Sequence, residues 1–264
     1  MIASDFNWTG RFDLKNKVTN RAMIPRSIPL CLSAAISALY LTCFSVTAAY
    51  AQANINEPFG RSAVGASEIL MAATWGELLL QVNNDLSIIA QCRVEPGSCS
   101  SPSAVKFLAI VREGEGYEGI AKIGHINRAA NFALRQERGD HVDDEWTSPL
   151  VALAKGAGDC KQFALLKYGA LREAGIAQGA LRIVVVEGRS THQQHAVVAV
   201  HIQDRWLLLD NRTLTLIESS KALDYYDPLY VLDQNGVRLY LAFGAIAKSD
   251  TPISGWVFKP IENN

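Results

Sequence analysis

Residues 156–173 read GAGDCKQFALLKYGALRE, and this stretch decides the fold. Gly156 and Gly158 interrupt the preceding chain, and Asp159 has the short acceptor side chain favoured at a helix N-cap. The run from Cys160 to Glu173 then keeps helical periodicity until Gly175 stops it. Cys160 therefore falls in the first turn of a predicted helix. A thiol there meets unpaired amides and the positive end of the helix dipole, which favour a thiolate. The glycines allow close backbone approach, and the Cys160 N–H, beside the capping Asp159, is placed to help bind an oxyanion.

After Gly175 the pattern changes to strands. Leu181–Glu187 (LRIVVVE) is rich in β-branched residues, and His195–Ile202 (HAVVAVHI) and Arg205–Asn211 (RWLLLDN) follow. If Gln203-Asp204 is a two-residue hairpin turn, residue 202 pairs with 205 and His195 lies opposite position 212. Asp210 is offset by two from that position and shares the face of His195, roughly 7–8 Å away at the backbone. An imidazole and a carboxylate can span that distance. Of the other histidines, His192 falls on the opposite parity, His201 sits at the far end of the strand, and His125 and His141 lie upstream. A buried Asp210 within an apolar run needs a partner. His195 supplies one, leaving Cys160 as nucleophile, His195 as base and Asp210 as the group that orients the ring.

Upstream the chain is mostly helical. Periodicity is suggested over Glu68–Leu80, the Cys92–Cys99 segment (CRVEPGSC) reads as an irregular loop, and residues 103–136 look largely helical. A charged loop, 137–147, leads to Pro149 and a short stretch, Leu150–Ala154. Downstream, turns are expected at Asp227-Pro228 and Asn235-Gly236, with strands at Tyr230–Leu232 and Val237–Phe243, and Thr213–Ile217 extends the sheet. Trp75, Trp146 and Trp206 read as core aromatics, while Lys161 and Gln162 read as a solvated helix face. Helices first and an antiparallel sheet after make the class α+β.

The N-terminus carries Arg11, Lys15, Lys17, Arg21 and Arg26, then an apolar run from Ile28 to Ala49 ending in Ala49-Tyr50-Ala51. Basic region, apolar region and small-x-small site predict an export signal over residues 1–51, with Met23 an alternative start. An uncleaved membrane anchor is the other reading. Residues 52–264 then form a single domain, periplasmic or secreted. Removing residues 1–51 takes five cations and two anions from totals of 25 and 26, leaving a body with a charge of about -4. That gives no footprint for nucleic acid. Cys31 and Cys43 go with the signal. Cys92 and Cys99 are close enough for a disulfide in an oxidising compartment, and Cys160 is left over, which suggests either an intermolecular bridge or a reactive thiol.

Trp146-x-x-Pro149, Gly156-x-Gly158-Asp159-Cys160, Lys167-Tyr168, Leu181-Arg182-Ile183, His195-Ala196-Val197 and Leu209-Asp210-Asn211, taken in order, resemble the bacterial transglutaminase-like cysteine proteinases. The resemblance spans roughly residues 75–217. It implies a papain-like, transglutaminase-like fold and a Cys-His-Asp triad at Cys160, His195 and Asp210. It also implies a protein substrate at the cell surface or envelope, since the best-known branch comprises periplasmic proteases that clip large surface adhesins. That branch has two acidic residues after the cysteine and needs calcium. Here Lys161 and Gln162 stand in their place, so the expectation is a protein without a metal or other cofactor. Two rivals to an exported cysteine protease follow: a transglutaminase-like acyl transferase or amidase using the same triad, and a catalytically silent binding module of the same fold.

Overall fold

The computed structural model describes residues 57–67, 69–137 and 145–241. The chain divides into two units, Met1–Asn54 and Ile55–Asn264. The predicted export segment, with Met23, Cys31 and Cys43, lies outside the described residues, as do Glu68, His141, most of the charged loop and Phe243.

Among the described residues the α-helices are α1 (Leu70–Val94), α2 (Pro102–Arg112), α3 (Gly119–Ala133), α4 (Pro149–Lys155) and α5 (Cys160–Glu173). The strands are β1 (Ala63–Gly65), β2 (Arg135–Gln136), β3 (Ala157–Gly158), β4 (Leu181–Gly188), β5 (Gln194–Ile202), β6 (Arg205–Leu209), β7 (Ile217–Glu218), β8 (Tyr226–Asp233) and β9 (Gly236–Tyr240). Seven of them make one antiparallel sheet in the order β1-β9-β8-β4-β5-β6-β7, and β2 and β3 pair in parallel. The α+β expectation is met.

Period-two alternation divides the sheet between two apolar clusters. Ile183 and Val185 of β4 join the helix side, where Trp75, Phe107, Leu166 and Leu171 are buried. Val184 and Val186 join a second cluster with Phe59, Trp206, Val231 and Tyr240. Trp75, Trp146 and Trp206 are buried as predicted, at 1%, 3% and 5% exposure. α5 is the central helix, with every residue from Lys161 to Leu171 buried.

Several local expectations change. α1 runs on to Val94, so Cys92 lies in its last turn and not in a loop. Val82, Ile89 and Cys92 are buried and continue the core side, while exposed Asn83 and Asn84 obscure the pattern. The segment 103–136 is two helices and a strand. Asp227-Pro228 is no turn: both lie inside β8, where the pairing with β4 shifts register between Val185 and Val186. A bulge is where a strand tolerates proline. β6 ends at Leu209, leaving Asp210 and Asn211 just beyond it. The Cys92–Cys99 disulfide is present.

The β5–β6 hairpin has the expected register, Ile202 opposite Arg205 and Val198 opposite Leu209. Gln203 and Asp204 both take positive φ, 52° and 58°. This is the primed two-residue turn that matches strand twist and prefers Asn-Gly. At the opposite edge, Glu57 is held by two arginines. Arg182 Nε lies 2.9 Å from Glu57 Oε2 and 3.2 Å from Asp233 Oδ2, and Arg238 Nη2 lies 3.0 Å from Glu57 Oε1 and 2.9 Å from Asp233 Oδ2.

Replacing Gln203-Asp204 by Asn-Gly relieves both left-handed positions. The expected gain is about 1 kcal/mol, or roughly 2–4 °C in Tm by thermal unfolding. A lower Tm would contradict the turn geometry.

Candidate active site

Two devices place Cys160. α4 ends in Gly156 at φ 68°, the left-handed conformation glycine takes freely, and its N–H donates to Ala152 O. Ala157 and Gly158 then pair with Arg135 and Gln136. The Arg135 N–H donates to Gly156 O at 3.0 Å and the Glu137 N–H to Gly158 O at 2.9 Å. A Cβ on Gly158 would lie 2.6 Å from Gln162 Cβ, so only glycine fits against the first turn of α5.

Asp159 caps α5 as predicted, within a capping box. Its Oδ1 accepts from the Lys161 N–H at 2.8 Å, and Gln162 Oε1 accepts from the Asp159 N–H at 3.0 Å. Gln162 Nε2 also donates to Glu145 O at 2.7 Å, and the Lys161 ammonium binds Asp159 Oδ2. Lys161 and Gln162 are thus buried, 4% and 7% exposed, which corrects the reading of a solvated face. The sequence hid this because the charge of Lys161 is matched by a residue only two positions earlier. Cys160 is half-buried and carries a free thiol.

His195 is 1% exposed, and its Nε2 donates to Asp210 Oδ1 at 2.8 Å. The same oxygen accepts from the Arg212 N–H at 2.9 Å, while Oδ2 accepts from the Tyr226 hydroxyl at 2.6 Å. With Nε2 committed, Nδ1 is the nitrogen left for Cys160, whose thiol acts on the ring. That contact is looser than a formed hydrogen bond, since Nδ1 is buried without one. Such geometry is common before substrate binds. Burial works against the imidazolium, but hydrogen bonds and charge from Asp210 and Cys160 outweigh it and raise the His195 pKa. Burial likewise works against the Asp210 carboxylate. His195, the Tyr226 hydroxyl and the Arg212 N–H overcome it and hold Asp210 well below the usual carboxylate range. Burial first, then the Asp210 charge, pushes the Tyr226 phenol up, so it remains a donor.

Cys160, His195 and Asp210 are thus brought together. The other described histidines go elsewhere: His125 stacks on Tyr117, His201 leans on Trp206, and His192 is exposed near Glu187. Sequence reasoning missed three supporting residues. Tyr226 gave no local signal, because it meets Asp210 from a different strand, β8. Asn127 and Asn131 stand one turn apart on the otherwise apolar inner side of α3, and that pattern was legible. Asn131 Nδ2 donates to Asp210 O and Thr213 O, both at 3.1 Å, and Asn127 Nδ2 donates to Leu214 O at 3.4 Å.

The start of α5 does not fit calcium. Both Asp159 oxygens are engaged by Lys161, and Gln162 Oε1 by the Asp159 amide. Among the described residues there is no cluster of three or more His, Cys, Asp or Glu that could hold a metal ion.

The bacterial transglutaminase-like cysteine proteinases (BTLCP) match this chain over residues 81–234. No curated protein matches it. Similar solved structures include Legionella pneumophila LapG, 21% identical over 60% of this chain and 87% of that one with a TM-score of 0.48. A calcium-bound form of LapG is 22% identical over 57% and 87%, with a TM-score of 0.49. A structure described as a TGase is 12% identical over 65% and 37%, with a TM-score of 0.34. The match over more than half of its length identifies the chain as a member of the bacterial transglutaminase-like cysteine proteinase family, a family of cysteine peptidases.

Proposed function

We propose that the protein is an exported cysteine peptidase that hydrolyses a peptide bond of a cell-surface or envelope protein with Cys160, His195 and Asp210. The observation that carries the reading is the His195–Asp210 pair at 2.8 Å, together with the action of Cys160, the one free thiol among the described cysteines, on the same ring. The apolar segment ending at Ala51 supports export, and a Cys92–Cys99 disulfide suits an oxidising compartment. Among the described residues no helix is long and apolar enough to cross a membrane.

The Cys160 sulfur, as thiolate, attacks the peptide carbonyl carbon while the proton rests on His195. The carbonyl electron pair moves to oxygen, and the Cys160 N–H at the start of α5 helps hold that oxyanion. Collapse expels the amine, which takes the proton from His195 Nδ1, leaving a thioester on Cys160. Neutral His195 then draws a proton from water as it attacks the thioester, and returns it to sulfur as the acid departs. Asp210 keeps Nε2–H engaged throughout, so the ring cannot turn away. The Tyr226 hydroxyl and Arg212 N–H do the same for Asp210. None of these steps is routed through a metal.

Cys160→Ala and His195→Ala are expected to lower hydrolysis at least about 10²–10⁴-fold while circular dichroism shows a folded protein. Wild-type turnover by Cys160→Ala sinks the reading. Tyr226→Phe strips one partner from a buried carboxylate, which costs about 1.5–3 kcal/mol in stability, and kcat should drop with KM little changed. Unaltered stability would remove Tyr226 from the support of Asp210. Excess EGTA is expected to change neither Tm nor turnover, whereas chelator-sensitive activity would show that a metal is needed.

A further inference from the structure

Lys167 is a buried charge that the proposed chemistry does not use. It follows Cys160 on α5 by seven residues, close to two turns at 3.6 residues each, so both side chains leave the same side of the helix. Lys167 is 1% exposed, and its Nζ has no hydrogen-bond partner among the described residues. An unpaired ammonium is costly to bury, and an apolar side chain of the same length would avoid that cost. Burial pushes Lys167 down to about 7, with the charge of Asp210 acting against the fall.

The other charges around α5 are already answered. Asp85 of α1 gives Oδ2 to the Leu150 N–H at 2.8 Å, and Arg182 of β4 is bound to Glu57 and Asp233. Lys106 of α2 reaches Leu153 O, and Lys155 of α4 pairs with Glu137. On α5 itself Lys161 is bound to Asp159, Arg172 lies over the Tyr168 ring, and burial raises the Tyr168 phenol so that it stays neutral. α3 brings the neutral Asn127 and Asn131, which hold the 210–214 segment by its carbonyls while their own Oδ1 atoms are buried without partners. β5 brings His195, already paired with Asp210. Asp210 is the charge left to act on Lys167.

We propose that Lys167 is a positioning residue whose buried ammonium balances the charge of Asp210 and so sets how readily His195 gives up its proton. The proposal rests on the Cys160–His195–Asp210 reading. While the ammonium is present, the carboxylate charge is partly offset and the imidazolium is a stronger acid toward the leaving amine. Once Lys167 loses its proton, Asp210 acts on His195 alone, the imidazolium holds its proton more tightly, and acylation slows.

The test compares wild type, Lys167→Met and Lys167→Gln by kcat and KM across neutral pH, together with Tm. At about pH 6 the Met variant should lose roughly tenfold in kcat with KM unchanged, and its profile should lack the ionisation near neutrality. Its Tm should rise. Because the folded-state value lies below that of free lysine, about 10.4, the gain should be largest below about pH 7 and fade toward about pH 10. Wild-type kcat and profile in both variants overturn the proposal.

A second readout does not depend on turnover. In ¹³C-lysine-labelled Cys160→Ala protein, one lysine should titrate near neutrality, and Asp210→Asn should move its midpoint lower. A Lys167 that ignores Asp210→Asn overturns the proposal, including when Lys167→Met fails to fold. A lysine that responds to Asp210→Asn in a protein whose wild type hydrolyses nothing sinks the peptidase reading and leaves the charge coupling standing.

Discussion

The carboxylate of Asp210 is nearly removed from water, at 3% exposure, and a carboxylate in that position has to be met by donors on both oxygens. His195 and the Arg212 N–H meet one oxygen and the Tyr226 hydroxyl the other. Each donor comes from a different part of the sheet: β5, the segment after β6, and β8. Satisfying this one group therefore fixes the β5–β6 register, the shape of residues 210–214 and the place of Tyr226 on β8. The packing of α3 follows, since Asn127 and Asn131 reach the backbone of that segment. The ring of His195 inherits its orientation from this network.

The thiol is placed independently. A left-handed Gly156, a two-residue parallel ladder and a capping box converge within five residues before the first full turn of α5. Gln162 serves twice, closing the cap and holding the Glu145 carbonyl, so the stretch that leads to Trp146 is tied to the helix that carries Cys160. Lys161 folds back on Asp159. The positive group beside the cap is covalently part of the chain and does not depend on any ion in solution.

Much of this was legible because its causes are local. The α5 boundaries, the Asp159 cap and the β5–β6 pairing rest on nearby residues, and together they point Cys160, His195 and Asp210 toward one another. The disulfide followed from spacing and compartment. What could not be read depends on distant partners. Tyr226 meets Asp210 from a strand that is distant in sequence, β8, and there a proline after an aspartate looks like a turn from the sequence. Lys161 and Gln162 look solvated until the cap and the Glu145 carbonyl are seen to engage them. The far half of α1 was missed because Asn83 and Asn84, though exposed, interrupt the apolar pattern by eye. The predicted export segment lies outside the described residues and rests on its sequence pattern.

The first and last strands of the sheet are neighbours. Ala63 pairs with Tyr240, Arg238 clasps Glu57, and the Phe59 N–H donates to Ser219 Oγ at 3.0 Å. Loops this long close slowly, and their entropy is spent before the contacts form. The sheet therefore cannot be completed until Tyr240 has emerged from the ribosome. The edge strand β1 is thus held back until its partner, more than 170 residues later, has appeared. Order of synthesis, as much as the final packing, then governs when β1 takes its place at the edge of the sheet.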